Sequence, residues 1–231
     1  MPKYTIFVAY INTMKRINKI FVILAFLLIS LPAFSQWRFG INVSYENTGA
    51  DWEENNKKLS VSNIDGFNIG PSVAYEAIDD YLDIKSGINF AYNGFTLQDR
   101  SMFGQNHQAI LEETIRLYYI QFPIYVVGKL PIKEASLLLE VGPILSAGVG
   151  GKAYATLITD EEVITGKNEE LFKEALDPFN CLLHFGIGAE YMGAKITVGY
   201  NLGVYDIIKY DYSKILTDGF FVSIGYVFDF D

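Results

Sequence analysis

Eight stretches of this 231-residue chain alternate apolar with small or polar residues at a period of two, and the links between them alternate between short and long. A period of two is the β-strand repeat, because successive side chains point to opposite faces. The stretches span residues 38–46, 66–75, 82–92, 115–127, 136–149, 179–191, 195–202 and 220–230. In the first, Phe39, Ile41, Val43 and Tyr45 share one face, while Arg38, Gly40, Asn42, Ser44 and Glu46 share the other. The fourth is apolar on both faces. Its expected outward set is Tyr118, Ile120, Phe122, Ile124 and Val126, since the opposite register would hold Gln121 in apolar surroundings. Short links, 76–81, 129–135 and 192–194, follow stretches two, four and six; long links, 47–65, 93–114, 150–178 and 203–219, follow one, three, five and seven.

That sorting places every long link at one end. Short turns on one side and long loops on the other are the layout of outer-membrane barrels, and a soluble barrel has no reason to sort its loops by side. Each stretch is close to the about 9–11 residues that a tilted strand needs to cross a bilayer. The expected fold is therefore all-β: an eight-stranded antiparallel up-and-down transmembrane β-barrel, with both ends of the sheet on the short-turn side.

The first 35 residues read as a signal peptide ahead of a barrel domain spanning 36–231. Lys15, Arg16 and Lys19 precede the apolar run 20–29, and Ala33-Phe34-Ser35 supplies a small-residue cleavage site before Gln36. The run of about ten residues is half the roughly 20 that a spanning helix needs. Residues 1–13 add nothing that a signal requires, so Met14 is the expected start. Residues 1–35 hold four basic and no acidic residues, leaving 14 basic against 27 acidic, a net charge of −13. Such a chain lacks the basic face of a nucleic-acid-binding protein. The single Cys181 has no partner for an internal disulfide.

An eight-stranded barrel is only wide enough inside for side chains, so Gly, Ala, Ser and Asn are expected to dominate the inward face. Trp37, Tyr45, Tyr75, Tyr81, Tyr92, Tyr191, Tyr226 and Phe228 lie near strand ends, where interfacial girdles sit. A soluble ligand-binding barrel would need the reverse distribution, large apolar residues in and small polar ones out. Within the third long link, residues 168–176 begin with a capping residue and an acidic turn. Leu171, Phe172, Ala175 and Leu176 then share a face, which predicts a short surface helix folding over the barrel mouth.

The inward charges Arg38, Glu46, Asp83, Lys85, Glu140, Glu190 and Lys195, with inward His184, form the candidate site, a polar network in the lumen. An unpaired charge in a narrow lumen is costly, so these residues are expected to pair across strands as a plug. Catalysis is not expected. The two histidines are His107, in a long loop without a nearby nucleophile, and His184, which Glu140 or Glu190 could orient but to which no Ser can be assigned. The acidic runs Asp79-Asp80-Asp83 and Asp160-Glu161-Glu162 lack the spacing of a calcium loop. Neither a phosphate-binding Gly-rich loop nor a Cys/His metal motif is present, so no cofactor or metal is expected.

Three stretches carry a resemblance. Tyr119-Ile120-Gln121-Phe122-Pro123-Ile124-Tyr125 is an aromatic strand with a central Pro, and Glu140-Val141-Gly142-Pro143-Ile144 is a Gly-Pro strand after it. Phe185-Gly186-Ile187-Gly188-Ala189-Glu190-Tyr191, leading to Val198-Gly199-Tyr200-Asn201-Leu202-Gly203, resembles a penultimate hairpin. Together they resemble the small porin-family outer-membrane barrels of Bacteroidetes, which include relatives of the gingipain-secretion protein PorT. Such barrels often finish on an aromatic residue, whereas here Asp231 follows Phe230. The resemblance implies location and fold: the outer membrane of a Gram-negative bacterium, with its lipid, lipopolysaccharide and barrel-assembly machinery as surroundings. It implies no reaction, and porin-family members need not conduct. The expected role is structural, adhesive or assembly work through the long outer loops and their protein partners. The alternatives are a PorT-like component of a secretion apparatus and a narrow solute channel.

Overall fold

A computed structural model describes residues 36–228, apart from 56, 100–109, 159–162, 169 and 211–212. The expected signal peptide and start, His107, the Asp160-Glu161-Glu162 run and Phe230 lie outside the described residues. Among the described residues, eleven strands and one helical turn follow in order: β1 Trp37–Glu54, β2 Lys57–Lys58, β3 Val61–Ile78, β4 Leu82–Gly87, β5 Asn89–Asp99, β6 Ile110–Ile132, β7 Ala135–Ile158, β8 Val163–Asn168, α1 Leu171–Glu174, β9 Phe179–Tyr191, β10 Ala194–Gly203 and β11 Ser213–Phe228.

The sheet closes into a ring because β1 pairs antiparallel with both β11 and β3. From β3 the ladder runs through β4 and β5, then β6, β7, β9, β10 and back to β11. β4 and β5 act as one barrel strand: Ile69↔Phe90 and Ser72↔Gly87 keep the same register on either side of Ile88. The gap lies between Pro71 and Pro123 on the flanking strands, neither of which has an N–H to give the ladder. Ile88 N instead donates to Pro71 O, and Ser86 Oγ to Pro123 O. Eight strands therefore make the ring, while β2 and β8 extend hairpins beyond it.

Tight turns close one end. Met192 and Gly193 have φ of 50° and 78°, the doubly left-handed backbone of a two-residue hairpin whose twist matches its strands. Lys133 and Asp80 supply the left-handed residue at the other two turns.

Through the middle of the barrel, the large side chains face outward. Ile187 and Ile224 are each 61% exposed, and Phe122, Ile124 and Val126 are exposed beside buried Gln121, which settles the register of the fourth barrel strand. At the loop end Tyr45, Phe67, Tyr92 and Tyr118 are successive cross-strand partners and form an outward aromatic band. Tyr75, Tyr81, Tyr191, Tyr226 and Phe228 lie at the turn end.

Beyond the loop-end band the alternation changes sense. On β1 the outward line passes from Ile41, Val43 and Tyr45 to Asn47, Asp51 and Glu53, while the inward line passes from Asn42 and Ser44 to Ala50 and Trp52. β6 repeats this: Arg116 and Thr114 lie outside, whereas Tyr119, Leu117 and Ile115 are buried within. Much of what was expected to be long loop is thus continued barrel wall. β7 runs for 24 residues, about 80 Å at about 3.4 Å per residue, far more than a bilayer crossing requires. A wall surrounded by water must bury its apolar side chains inside, as any soluble core does.

β7 makes this change with a bulge. Tyr118 pairs with Gly150 but Tyr119 pairs with Gly148. The extra residue, Val149, reverses the parity of β7, so Val149 faces out below the bulge and Lys152 and Tyr154 face out above it.

Candidate functional site

The lumen is filled in three tiers. Nearest the turns, Arg38 projects inward from β1 between Asp83 of β4 and Glu190 of β9. Its guanidinium bonds both carboxylates, with Nη1 2.9 Å from Glu190 Oε1. Lys129 Nζ, from β6, lies 2.8 Å from Asp83 Oδ1 and 2.6 Å from Glu76 Oε1. Two cations and three carboxylates from five strands therefore interlock.

In the middle tier, Glu140 of β7 pairs with Lys195 of β10 and lies 3.8 Å from Lys85 Nζ. Lys85 also donates to Asn42 Oδ1 at 3.1 Å. His184 Nε2 is 3.8 Å from Glu140 Oε2, while Nδ1 bonds Asn201 Oδ1 at 2.8 Å. Because an amide oxygen accepts, Nδ1 carries the proton in this arrangement. The imidazole is sandwiched, with Tyr125 stacked at 4.1 Å between centroids and Phe221 at 4.6 Å.

Of the eight residues expected in the network, seven join these two tiers. Glu46 does not. It is buried one level above, bordering a cavity of about 40 Å³ that Lys85, Glu140 and His184 of the middle tier also line. Glu190 serves Arg38, so the carboxylate beside His184 is Glu140. Asp83 points into the lumen while Asp79 and Asp80 lie on the exposed turn, so that acidic run does not converge. Among the described residues no group of three or more His, Cys, Asp or Glu is placed to hold a metal.

Sequence reasoning missed Lys129 and Glu76, assigned to turns, and the neutral bonds Asn68–Gln121 (2.6 Å) and Asn180–Thr217 (2.9 Å). Following the inward line of β6 from Gln121 in steps of two reaches Lys129, so that signal was present. The expectation of a small-residue interior also needs correction. Tyr125, Val127, Leu138, Ile144 and Leu182 form an inward apolar cluster, and Phe221 is buried. Small residues opposite admit them: a Cβ on Gly199 would come within 2.8 Å of the Phe221 ring.

The third tier, at the loop end, is apolar. Leu171, which opens α1, and Leu176, just beyond it, insert against Phe95, Ile115, Leu117 and Tyr119 of the wall, and Ile207 of the last long loop joins them fully buried. Phe172 packs edge-on to Tyr119 at 5.5 Å. The expected surface helix is a single turn. Asn168 Oδ1 accepts from Glu170 N (2.8 Å) and so shapes a local turn rather than capping a longer helix. Its apolar face is a stopper in the mouth.

Polar bonds lock the two loops together. Lys209 Nζ donates to Phe172 O at 2.8 Å, and Asp177 N to Ile207 O at 2.7 Å. Tyr205 OH donates to Asp177 Oδ2 at 2.8 Å. The Phe179 backbone N–H and the Tyr205 hydroxyl hold the Asp177 carboxyl below its ordinary range, because both favour its charged form.

Gly148 makes room for the stopper: a Cβ there would lie 2.5 Å from Phe172 Cζ. Gly148→Val is expected to push the ring out at a cost of about 1–3 kcal/mol. Limited proteolysis should then cut faster within residues 171–178, where Leu171 and Leu176 are buried. Equal protection in both proteins would show that the ring does not hold the loop.

The outer membrane protein beta-barrel domain model matches residues 21–228 of this chain. Among solved structures, the chain is similar to Ail, the attachment invasion locus protein of Yersinia pestis: 16% identity, 84% of this chain and 99% of that one covered, TM-score 0.39. It is likewise similar to OprG of Pseudomonas aeruginosa, with 14% identity, 84% and 95% coverage and TM-score 0.36. For Neisserial surface protein A the values are 11%, 82% and 97%, and 0.34. No curated protein matches the chain.

Proposed function

We propose that this chain, which belongs to the outer membrane protein beta-barrel domain family, works by display rather than by passage. It is a closed barrel whose raised outer wall and locked loops present a binding surface outside the cell. The observation that carries this reading is the filled lumen, with two ion-paired tiers below and an apolar stopper above. Ions crossing such a lumen would have to break buried pairs whose partners would then stand desolvated. The outer wall supports the same role. Strands that continue well beyond the aromatic band build a stiff projection, and rigid elements position binding groups better than loose loops do.

An adhesive or assembly role follows, with the partner a protein or a surface outside the cell. A narrower form of it, a component of a secretion apparatus of the PorT kind, is favoured by the aromatic-Pro and Gly-Pro stretches at 119–125 and 140–144.

Planar-bilayer recording tests display against passage. The refolded full chain is expected to give no stepwise conductance at potentials that open ordinary porins. Discrete openings that disappear on heating would overturn the reading and make a solute channel of this barrel.

A further inference from the structure

We propose that the lumen holds one sodium ion, bound by the Glu46 carboxylate and Asn93 Oδ1 at the base of the apolar stopper tier. Glu46 is 5% exposed, and it makes no hydrogen bond or ion pair with any described residue. Asn93 is likewise 5% exposed, and its Oδ1 is buried without a hydrogen-bond partner. Both side chains border a cavity of about 10 Å³, together with Thr48 and Asn201. A carboxylate left there without a counter-charge is costly, and so is an amide oxygen left without a donor.

The ladder builds the site. Glu46 of β1 is the cross-strand partner of Gly66 of β3, and a Cβ on Gly66 would lie 3.3 Å from the Asn93 Cα of β5. Two inward side chains with ligand oxygens thus flank a residue that has no side chain, and the gap between them stays open. On β6, Asn93 pairs with Leu117, a buried wall residue of the stopper tier. Thr48 spends its hydroxyl proton on the Gly94 carbonyl at 2.9 Å, so it has none to give Glu46. The lysines of the middle tier are engaged below, Lys195 by Glu140 and Lys85 by Glu140 and Asn42.

The oxygens select the ion. The Glu46 carboxylate and the Asn93 amide oxygen form a hard donor set with a single negative charge. Hard cations take several such oxygens at once, whereas a proton on Glu46 would supply only one donor among these acceptors. A monovalent ion leaves the site neutral. A divalent one would leave an uncompensated charge beneath an apolar cap, where charge is costly. Size excludes large cations, because a cavity of about 10 Å³ has room for one body about as large as a water molecule. The adjoining cavity of about 40 Å³, which Glu46 also borders, has room for water to complete the ion's shell. The inference does not rest on the display role, since a conducting barrel would hold the ion at the same oxygens.

Urea unfolding of the refolded full chain in phosphatidylcholine vesicles tests it, with sodium exchanged for N-methyl-D-glucamine at constant ionic strength. The organic cation is too large for the cavity, so only occupancy of the site changes along the series. An ion that binds the folded state alone lowers the unfolded-to-folded ratio in proportion to its free concentration. Each tenfold rise in sodium above half-filling is therefore expected to lower that ratio about tenfold. Asn93→Leu should move the dependence to about tenfold higher sodium, the effect of losing one polar partner of a charge. Glu46→Gln should abolish it, because the neutral amide keeps the shape and loses the charge. A parent ratio indifferent to sodium would overturn the proposal and leave Glu46 protonated. Full sodium dependence in Glu46→Gln would overturn it as well, by placing the ion elsewhere. Should Glu46→Gln not fold, Asn93→Leu decides the matter beside the parent, and an unshifted dependence there would overturn it too.

Discussion

Glu140→Ala is expected to destabilise the barrel by about 3–5 kcal/mol, the usual cost of removing one member of a buried ion pair. The reason is the two cations left behind. Lys195 and Lys85 both lean on this carboxylate from neighbouring parts of the ring, and all three side chains are buried or nearly so. Without it two ammonium groups share a narrow space with Asn42 and no opposite charge in their tier. Urea unfolding of the refolded chain in vesicles, followed by the shift between unheated and boiled gel bands, measures the loss. Conductance should stay absent, because the Arg38–Asp83–Lys129 tier below still blocks the lumen. The double variant Glu140→Leu, Lys195→Met should recover part of the stability, since matched apolar groups replace a buried pair at little cost. A stable Glu140→Ala barrel with new conductance would mean that the tier gates a path rather than filling a wall.

Leu171→Ala with Leu176→Ala should act elsewhere and differently. Each truncation removes a large apolar side chain from a buried cluster, a change worth about 2–5 kcal/mol where the site cannot collapse. The stopper, however, is a loop segment resting on a barrel that has its own closed ladder. Its loss is therefore expected as local opening rather than global unfolding. Protease cleavage within residues 171–178 should accelerate by about a hundredfold or more, since every 1.4 kcal/mol is a factor of ten in the open population. The urea midpoint should hardly move. Conductance should again stay absent, because two charged tiers remain beneath. A shared collapse of loop and barrel would show that the stopper holds the wall together, and channel openings would show that the stopper alone seals the lumen.

The two experiments separate roles that the lumen's geometry combines. Charged pairs hold the membrane-level barrel across its diameter, while apolar packing holds the mouth at the loop end. The difference follows from the surroundings. At membrane height the outward positions serve the lipid, so cross-barrel cohesion falls to polar groups inside. Above the membrane the outside is wet and the inside can be an ordinary apolar core.

The sequence alone determined the number of ring strands, the side on which the loops lie and the outward set of nearly every strand. All three depend on a local period and on link lengths, which need no knowledge of what lies opposite. Seven of the eight lumen residues were likewise legible, because Arg38, Asp83 and Glu190 share an inward parity whoever their partners are. Partnership was decided only by closure: the ring brings β1 against β11 and so sets Arg38 beside Glu190, 152 positions away in the chain. Closure also left Glu46 out of both clusters and brought Lys129 into one.

The continued wall was partly legible. Trp52, Leu117 and Ile215 keep the inward parity of their strands, but an apolar residue on the polar phase reads as loop unless the solvent is known to change there. The bulge at Val149 and the seating of α1 in the mouth were decided by tertiary structure alone. Parity across a bulge depends on the facing strand, and a four-residue helical turn has too few internal bonds to exist without the core it fills.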